Sequence, residues 1–192
     1  MDCRLGIKLI CIVICCVNVC LSKGNIDTMS FLDKISVVSF SNGVQISGIK
    51  PEDFVASNVS PIFSVNTVYD LTKALSIQLG FKGFYFLLIS DDHRHYYNFL
   101  YLNLGYKLNN IIRNKTISAS KMRITSYTGC GYFYNYYYDR PNICLNLGLN
   151  SSLPINDNYG IIIDISSIIG WDIYQGNEDI LPSVALGINY KI

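Results

Sequence analysis

The feature that most constrains this chain is an alternation of apolar and small polar residues, with a period of two, that runs through long segments. In 75–89 the odd-numbered positions are almost all apolar, whereas the even-numbered positions begin with Ser76, Gln78, Gly80 and Lys82. The same division recurs in three further segments: 100–108, 143–150 and 183–192. Because successive side chains of a strand point to opposite faces, the pattern predicts β-strands with one apolar and one polar face.

The chain contains eight segments that suit such strands, at 35–48, 61–71, 74–90, 96–109, 121–138, 142–153, 159–173 and 181–192. Most are longer than the typical strand of about five or six residues. An even number of long antiparallel strands suits a sheet that closes on itself, because closure leaves no unpaired edge. We therefore predict an all-β fold, a closed antiparallel eight-stranded up-and-down β-barrel.

The polar face distinguishes a soluble barrel from a transmembrane one. A soluble barrel turns its apolar face inward, whereas a membrane barrel turns it toward lipid. Only 15% of the chain is charged, compared with about 25–35% of a typical soluble surface. The pattern thus favours a transmembrane β-barrel with a narrow polar lumen. Four charged residues fall on the inward face, and we predict that they form a lumenal polar network: Lys82, Lys107, Arg123 and Asp164.

An eight-stranded barrel is just wide enough to be filled by its own side chains. We therefore expect this network to be structural, since unpaired charges inside a barrel are costly. A narrow or gated channel along the same residues is the alternative.

Residues 1–22 are predicted to be a signal peptide. Arg4 and Lys8 form a basic start, an apolar run follows, and Cys20 and Ser22 occupy the positions of small residues before a cleavage site. The apolar run is roughly half of the ~20 residues that a membrane-spanning helix needs. Lipidation at Cys20 and an uncleaved anchor are the alternatives.

Cleavage after Ser22 leaves 23–192 as the predicted outer-membrane β-barrel domain. Of the seven cysteines, only Cys130 and Cys144 remain, which excludes a disulfide framework and leaves no zinc-ligand spacing. The two cysteines fall on opposite faces of their strands, whereas a disulfide needs Cβ atoms within about 4.5 Å on compatible vectors. We predict that both thiols stay reduced.

The stretch 130–144, "CGYFYNYYYDRPNIC", concentrates aromatic rings near the predicted end of a strand. We predict that its outward tyrosines form an interface aromatic girdle, because Tyr and Trp suit the headgroup level of a membrane. The predicted girdle consists of Tyr132, Tyr134, Tyr136, Trp171 and Tyr190. A stacking platform for sugars or bases is the alternative.

Several segments resemble the small eight-stranded OmpA-like outer-membrane β-barrels, in particular the single-domain forms common in Bacteroidetes. The likeness covers about 61–192 and includes "YDLTKALSIQLGFKGF", "YTGCGYFY", "LNLGLNSSLPINDNYGIIIDIS" and "ALGINYKI". In the third segment Asp164 takes the place of a usual inward Glu. The resemblance implies the outer membrane of a Gram-negative cell envelope and this fold, and little about activity.

The ending "ALGINYKI" is similar to the terminal signal that the barrel assembly machinery recognises in this family. Gly187, Tyr190 and Ile192 fill the pattern. Ala185 replaces the usual polar residue, and Ile192 replaces the usual terminal Phe. The resemblance therefore implies that these residues act as an assembly signal.

We expect an integral outer-membrane barrel with a structural or surface-interaction role, monomeric and without catalytic residues, metal or cofactor. The expected partners are outer-membrane lipid and, during biogenesis, the barrel assembly machinery; no nucleic acid is expected. A first alternative is a secreted lipocalin-like barrel that binds a hydrophobic small molecule.

A second alternative is an envelope barrel hydrolase that uses the loop "SDDHRHYY" with His93 and His95. We interpret this stretch chiefly as a solvated loop. A metal site there is a weaker possibility, because His and Asp side chains are close together in the sequence.

Overall fold

Eight antiparallel strands follow one another around a closed barrel, in which β8 returns to pair with β1. The computed structural model describes residues 35–47, 58–88, 93–108, 122–170 and 180–192. The strands are β1 (Ile35–Gln45), β2 (Ser60–Asp70), β3 (Leu75–Leu88), β4 (His93–Lys107), β5 (Arg123–Asn135), β6 (Arg140–Pro154), β7 (Tyr159–Gly170) and β8 (Ile180–Lys191). The predicted all-β, closed eight-stranded antiparallel fold is confirmed.

The predicted signal peptide, 1–22, lies outside the described residues. Residues 36–192 form one compact unit that contains the barrel. No helix in the described part of the chain is both long and apolar enough to cross a membrane.

The barrel has two ends that differ in their connections. At the end where β1 begins and β8 finishes, residues 71–74 join β2 to β3 and residues 155–158 join β6 to β7. We call this the terminal end. At the opposite, distal end, residues 136–139 join β5 to β6. Thr72 and Asn156 each accept hydrogen bonds from backbone N–H groups with their side-chain oxygens, which explains why these two residue types support tight turns.

The alternation in the sequence corresponds to the two surfaces of the barrel. On β7, buried and exposed residues alternate from Tyr159 to Ile165, and on β4 from His95 to Tyr106 with one half-buried position. Buried polar residues line the inside, whereas the large apolar side chains of the same strands are exposed on the outside. The assignment of the two faces from the sequence is therefore confirmed for these strands.

The turn between β5 and β6 lies earlier than the sequence predicted. We predicted that β5 runs to residue 138, but the strand ends at Asn135 and the turn occupies 136–139. Asp139 closes this turn with a φ of 51°, a left-handed conformation that Asp tolerates better than most residues. Its carboxylate accepts a hydrogen bond from the Tyr134 hydroxyl. Tyr136 is consequently a turn residue rather than a strand residue.

The two cysteines are on opposite faces, as predicted. Cys130 is exposed on the outside and Cys144 is buried inside, and no disulfide joins them. They lie on neighbouring strands, with Cys130 opposite Leu145 and Cys144 opposite Gly131. Their side chains point away from each other across the sheet, which explains why proximity in the ladder does not produce a disulfide.

The seam between β1 and β8 depends on close backbone approach at its glycines. Gly187 pairs with Ser41, and Gly43 pairs with Ala185. A Cβ atom on Gly187 would overlap the carbonyl oxygen of Phe40 and come within 2.5 Å of the Ser41 Cβ. Gly187 therefore has a steric role in closing the barrel, besides the assembly role that the sequence resemblance implies.

We predict that Gly187→Ala destabilises the barrel by about 1–3 kcal/mol, the usual cost of forcing extra atoms into a packed site. The measurement is a urea titration of the detergent-folded protein followed by far-UV circular dichroism. Gly83→Ala is the control, because the nearest atom to its added Cβ is the edge of the Phe81 ring at 3.0 Å. Equal loss of stability in the two variants would contradict the steric role of Gly187.

Candidate functional site

Lys82 extends from β3 across the lumen to the opposite wall. Its Nζ donates to Ser166 Oγ at 2.7 Å and to Asn146 Oδ1 at 3.3 Å, and it lies 3.7 Å from Asp164 Oδ2. Lys82 is 2% exposed. Two hydrogen bonds and one ion pair therefore surround the ammonium group inside the barrel, which offsets the cost of burying the charge.

Asp164 is held by hydroxyl groups on both of its oxygens. Tyr127 donates to Oδ1 at 2.7 Å, and Ser166 Oγ donates to Oδ2 at 2.9 Å. Ser183 lies 2.9 Å from the same Ser166 hydroxyl and extends the cluster to β8. We call Lys82, Asp164, Tyr127, Ser166 and Asn146 the lumenal network.

Tyrosine rings border the lysine of this network. The Nζ of Lys82 lies 5.5 Å from the ring centroid of Tyr101 and 5.9 Å from that of Tyr127, within the range of a cation–π contact. Each ring lies opposite a glycine in the sheet: Gly80 pairs with Tyr101, and Gly148 pairs with Tyr127. A Cβ on either glycine would collide with the tyrosine, so the glycines provide the space that the rings occupy.

An aromatic cluster fills the lumen toward the distal end. Tyr97 stacks on Phe133 with a centroid separation of 4.8 Å, and Phe99 packs beside both Phe133 and Tyr101. Phe99 and Phe133 are 0% exposed. The Tyr97 hydroxyl donates to Gln45 Oε1 at 2.7 Å, which satisfies this buried polar group. Tyr97, Phe99, Tyr101 and Phe133 are called the aromatic cluster below.

His95 is not a loop residue, contrary to the prediction from the sequence. It belongs to β4 and is fully buried beneath the distal turn. Its Nδ1 lies 3.3 Å from Asn135 Nδ2, and its ring packs 4.4 Å from Tyr137. The alternation of β4 continues through position 95, which turns this side chain inward. His93 begins the same strand, and its side chain is outside the described part.

The structure brings together only two of the four charged residues predicted for the lumen. Lys82 and Asp164 meet in the lumenal network, whereas Lys107 is near the terminal end with its Nζ 2.7 Å from Asp70 Oδ2. Arg123 is exposed at the same end. The two pairs differ in their position along the barrel axis. Lys107 ends β4 and Arg123 begins β5, so both lie at the terminal end, away from Lys82 and Asp164.

A recess of about 600 Å³ lies at the terminal end. It is lined by the beginnings or ends of five strands and by the turn between β6 and β7. Arg123, Ser152, Asn189 and Lys191 contribute from the strands. We call this cavity the terminal recess.

The predicted girdle residues that the structure describes lie outside the barrel near its ends. Tyr132 is 51% exposed, and Tyr134 packs 6.5 Å from Tyr132 at the distal end. Tyr190 is exposed at the terminal end, where its ring lies 5.1 Å from Tyr159. Trp171 lies outside the described residues.

Two exposed aromatic residues at the terminal end, Tyr106 and Tyr159, are absent from the predicted girdle, although the alternation of their strands turns them outward. The sequence pattern places Tyr101 on the inward face of β4, but it did not predict that Tyr97, Phe99 and Tyr101 pack together in the lumen. The available signal was their inward position, which they share with Asn103 on β4. Within the described residues no three His, Cys, Asp or Glu side chains come together as a metal site would require.

The comparisons with known proteins support the fold. No protein-family model matches the sequence, and no curated protein matches it. Among solved structures, the N-terminal β-barrel domain of Pseudomonas aeruginosa OprF aligns with a TM-score of 0.51 at 10% identity, over 82% of this chain and 98% of that one. The chain therefore shares the overall fold of this β-barrel domain.

Two further structures align less closely. Ail, the attachment invasion locus protein of Yersinia pestis, aligns with a TM-score of 0.47 at 14% identity, over 82% of this chain and 99% of that one. The outer membrane enzyme PagL aligns with a TM-score of 0.48 at 10% identity, over 82% of this chain and 100% of that one.

We predict that breaking the lumenal network from one side is costly. Lys82→Met leaves Asp164 buried without its cation and should lower the free energy of unfolding by about 3–5 kcal/mol. The double variant Lys82→Met/Asp164→Leu removes both charges and should recover much of that loss. Urea titration in detergent measures both effects.

Lys107→Met is the matched control, because its ion pair is partly exposed, with side-chain exposures of 22% for Lys107 and 36% for Asp70. An exposed pair contributes about 0–1 kcal/mol. If Lys82→Met and Lys107→Met cost the same, the lumenal network does not stabilise the barrel.

Proposed function

We propose that this protein is an integral outer-membrane β-barrel with a structural or surface-interaction role and no catalytic activity. The observation that carries the proposal is the outer surface, which is apolar in the middle of the barrel. Large aliphatic side chains are about half exposed there on five of the eight strands: Leu79, Leu102, Leu145, Ile163 and Leu186. A soluble monomer rarely exposes an apolar patch of more than a few hundred Å².

The inside of the barrel has the opposite chemistry. Buried Lys82 and Asp164 are enclosed by polar side chains, while the leucines and isoleucines of the same strands point outward. This arrangement matches a membrane barrel, in which lipid contacts the apolar face and the lumen holds the polar one. It is the reverse of the lipocalin-like alternative, whose apolar faces would turn inward around a ligand.

Exposed tyrosines at both ends of the apolar band support the same function. Tyr132 and Tyr96 are exposed toward the distal end, and Tyr106, Tyr159 and Tyr190 toward the terminal end. An amphipathic ring at each edge of an apolar belt suits the two headgroup regions of a bilayer. We assign Tyr132, Tyr134, Tyr136 and Tyr190 to the proposed girdle on this basis, and Trp171 on its sequence position.

The packed lumen supports a structural role over a channel. The aromatic cluster and the lumenal network occupy successive levels of the interior, and their central side chains are nearly or fully buried. His95 packs under the distal turn against tyrosine rings, an arrangement that supports a structural role over the hydrolase alternative. The ending with Gly187, Tyr190 and Ile192 is the proposed assembly signal, and the Bacteroidetes-type affiliation stays a prediction.

Heat-modifiability tests the proposal. The full chain is expressed in a Gram-negative host, extracted from the envelope with mild detergent, and run on a gel with and without boiling. We expect extraction to require detergent and the unboiled sample to migrate faster, because a closed barrel resists unfolding by the gel detergent. Extraction into buffer alone, with no shift on boiling, would refute the membrane assignment.

A substitution on the outer surface provides a second test. Leu102 is 54% exposed at mid-height, and an Arg at the midplane of a membrane barrel costs about 2–4 kcal/mol. We therefore predict that Leu102→Arg lowers the stability of the vesicle-embedded protein by that amount, as measured by urea titration.

Leu153→Arg is the matched control, because Leu153 has a similar exposure of 45% but lies near the terminal end. The same change near a membrane interface costs about 0–1 kcal/mol. On a surface that faces water, neither substitution would lower the stability. A Leu102→Arg variant as stable as the original chain would therefore contradict lipid contact.

A further inference from the structure

The terminal recess carries two cations that are not neutralised. Arg123 from β5 and Lys191 from β8 both line the recess. No ion pair joins either side chain to an acidic group in the described part of the chain. Lys107 at the same end differs, because Asp70 neutralises it at 2.7 Å. Among the described residues of the recess, the positive charge therefore comes from β5 and β8.

One acidic residue, Asp157, also lines the recess, from the turn between β6 and β7. It forms no ion pair with Arg123 or Lys191 within the described residues. Among the described side chains that line the recess, two cations and one carboxylate leave a net positive charge. An anion that enters the recess would meet this excess of positive charge.

The backbone of Lys191 is fixed to the turn between β6 and β7. The N–H of Lys191 donates to the carbonyl oxygen of Asn158 at 2.7 Å, which ties the end of β8 to the turn. The turn is fixed in its own right, because Asn156 Oδ1 accepts the N–H groups of Asn158 at 2.9 Å and Tyr159 at 2.7 Å. The remaining polar group of the Asn156 side chain is its NH₂, a donor.

Neutral polar groups lie between the two cations. Asn189 Nδ2 donates to Ser152 Oγ at 2.6 Å, which joins β8 to β6 across the recess. On adjacent strands, Ser152 pairs directly with Arg123. From Arg123 to Lys191, the lining therefore consists of the guanidinium, the Ser152 hydroxyl, the Asn189 amide and the ammonium group. This arrangement offers several hydrogen-bond donors.

The lumenal network lies behind the recess, further along the lumen toward the distal end. Asp164 is 9% exposed and Asn146 is 0% exposed, and the aromatic cluster lies further along the lumen. A ligand of this recess would enter from the terminal end. If the proposed membrane function holds, that end faces the periplasm.

We propose that the terminal recess binds a small anion with a carboxylate or phosphate group, held by Arg123 and Lys191. A planar guanidinium binds such a group through two parallel hydrogen bonds, and an ammonium adds a point charge. The site is separate from the lumenal network and does not depend on a catalytic role. The chemistry is shared by soluble anions and by the phosphate of a lipid headgroup.

The test uses the full chain folded in an uncharged detergent, with amide and Arg side-chain NMR signals as the readout. Citrate and inorganic phosphate are titrated as soluble probes at constant ionic strength. A second arm uses bilayer nanodiscs of phosphatidylcholine with and without phosphatidylglycerol. We expect saturable shifts at Arg123, Asn156, Asn189 and Lys191.

Arg123→Gln and Lys191→Gln should each weaken binding by about tenfold, the equivalent of one lost charge-assisted hydrogen bond. Lys73→Gln is the matched control, since Lys73 is an exposed lysine in the β2–β3 turn at the same end and outside the recess. It should bind as tightly as the original chain. Heat-modifiability of each variant verifies that the barrel is folded.

Saturation by citrate or phosphate supports a soluble anion, and shifts only with phosphatidylglycerol support a lipid headgroup. The absence of saturable shifts in both arms, or an equal loss in Lys73→Gln, would overturn the proposal. Failure of the membrane function would appear in the heat-modifiability gel instead. The two proposals are thus tested separately.

Discussion

The rest of the structure depends on the ladder that joins β1 to β8. It runs from Val37 opposite Lys191 to Gln45 opposite Ser183, and it converts an open sheet into a barrel without an edge. Closure pairs the backbone groups of both outer strands, so an apolar surface can surround the whole molecule without exposing unpaired N–H and C=O groups. The register of this ladder also determines which residues face inward, because a slip of one residue would exchange the two faces.

The interior then has to be filled by side chains of matching size. Tyr101 and Tyr127 reach into the lumen where Gly80 and Gly148 leave space, and Lys82 uses the remaining room to contact the far wall. A contact between β3 and β7 joins strands that are far apart both in sequence and around the sheet. The lumenal network therefore links opposite walls of the barrel, which neighbouring-strand hydrogen bonds cannot do.

The two ends of the lumen have different chemistry. Toward the distal end, stacked rings and His95 close the interior beneath the β5–β6 turn. At the terminal end, Arg123 and Lys191 border an open recess with no partner of opposite charge in the described chain. In the proposed membrane setting, the closed end faces outward and the cationic end faces the periplasm. This asymmetry makes a continuous channel unnecessary to explain the polar lumen.

Much of the fold could be predicted from the sequence, because a strand places alternate residues on opposite faces regardless of its neighbours. All eight strands and the opposite faces of Cys130 and Cys144 followed from that period. The strand boundaries were harder to predict, because a local backbone conformation can end a strand while the alternation continues. The turn closed by Asp139, which has a left-handed backbone, ends β5 early in this way. His95 was assigned to a loop because polar neighbours concealed the continuing alternation of β4.

The strand period, the two faces and the number of strands follow from the sequence alone. Which inward residues meet is set in the folded barrel, because it depends on the strand register, on the position along the barrel axis and on the space opposite each side chain. Lys82, Lys107, Arg123 and Asp164 all fall on the inward face of their strands, yet only Lys82 and Asp164 are in contact. The face on which a residue lies is a local property of its strand, whereas contact across the lumen is a property of the closed barrel.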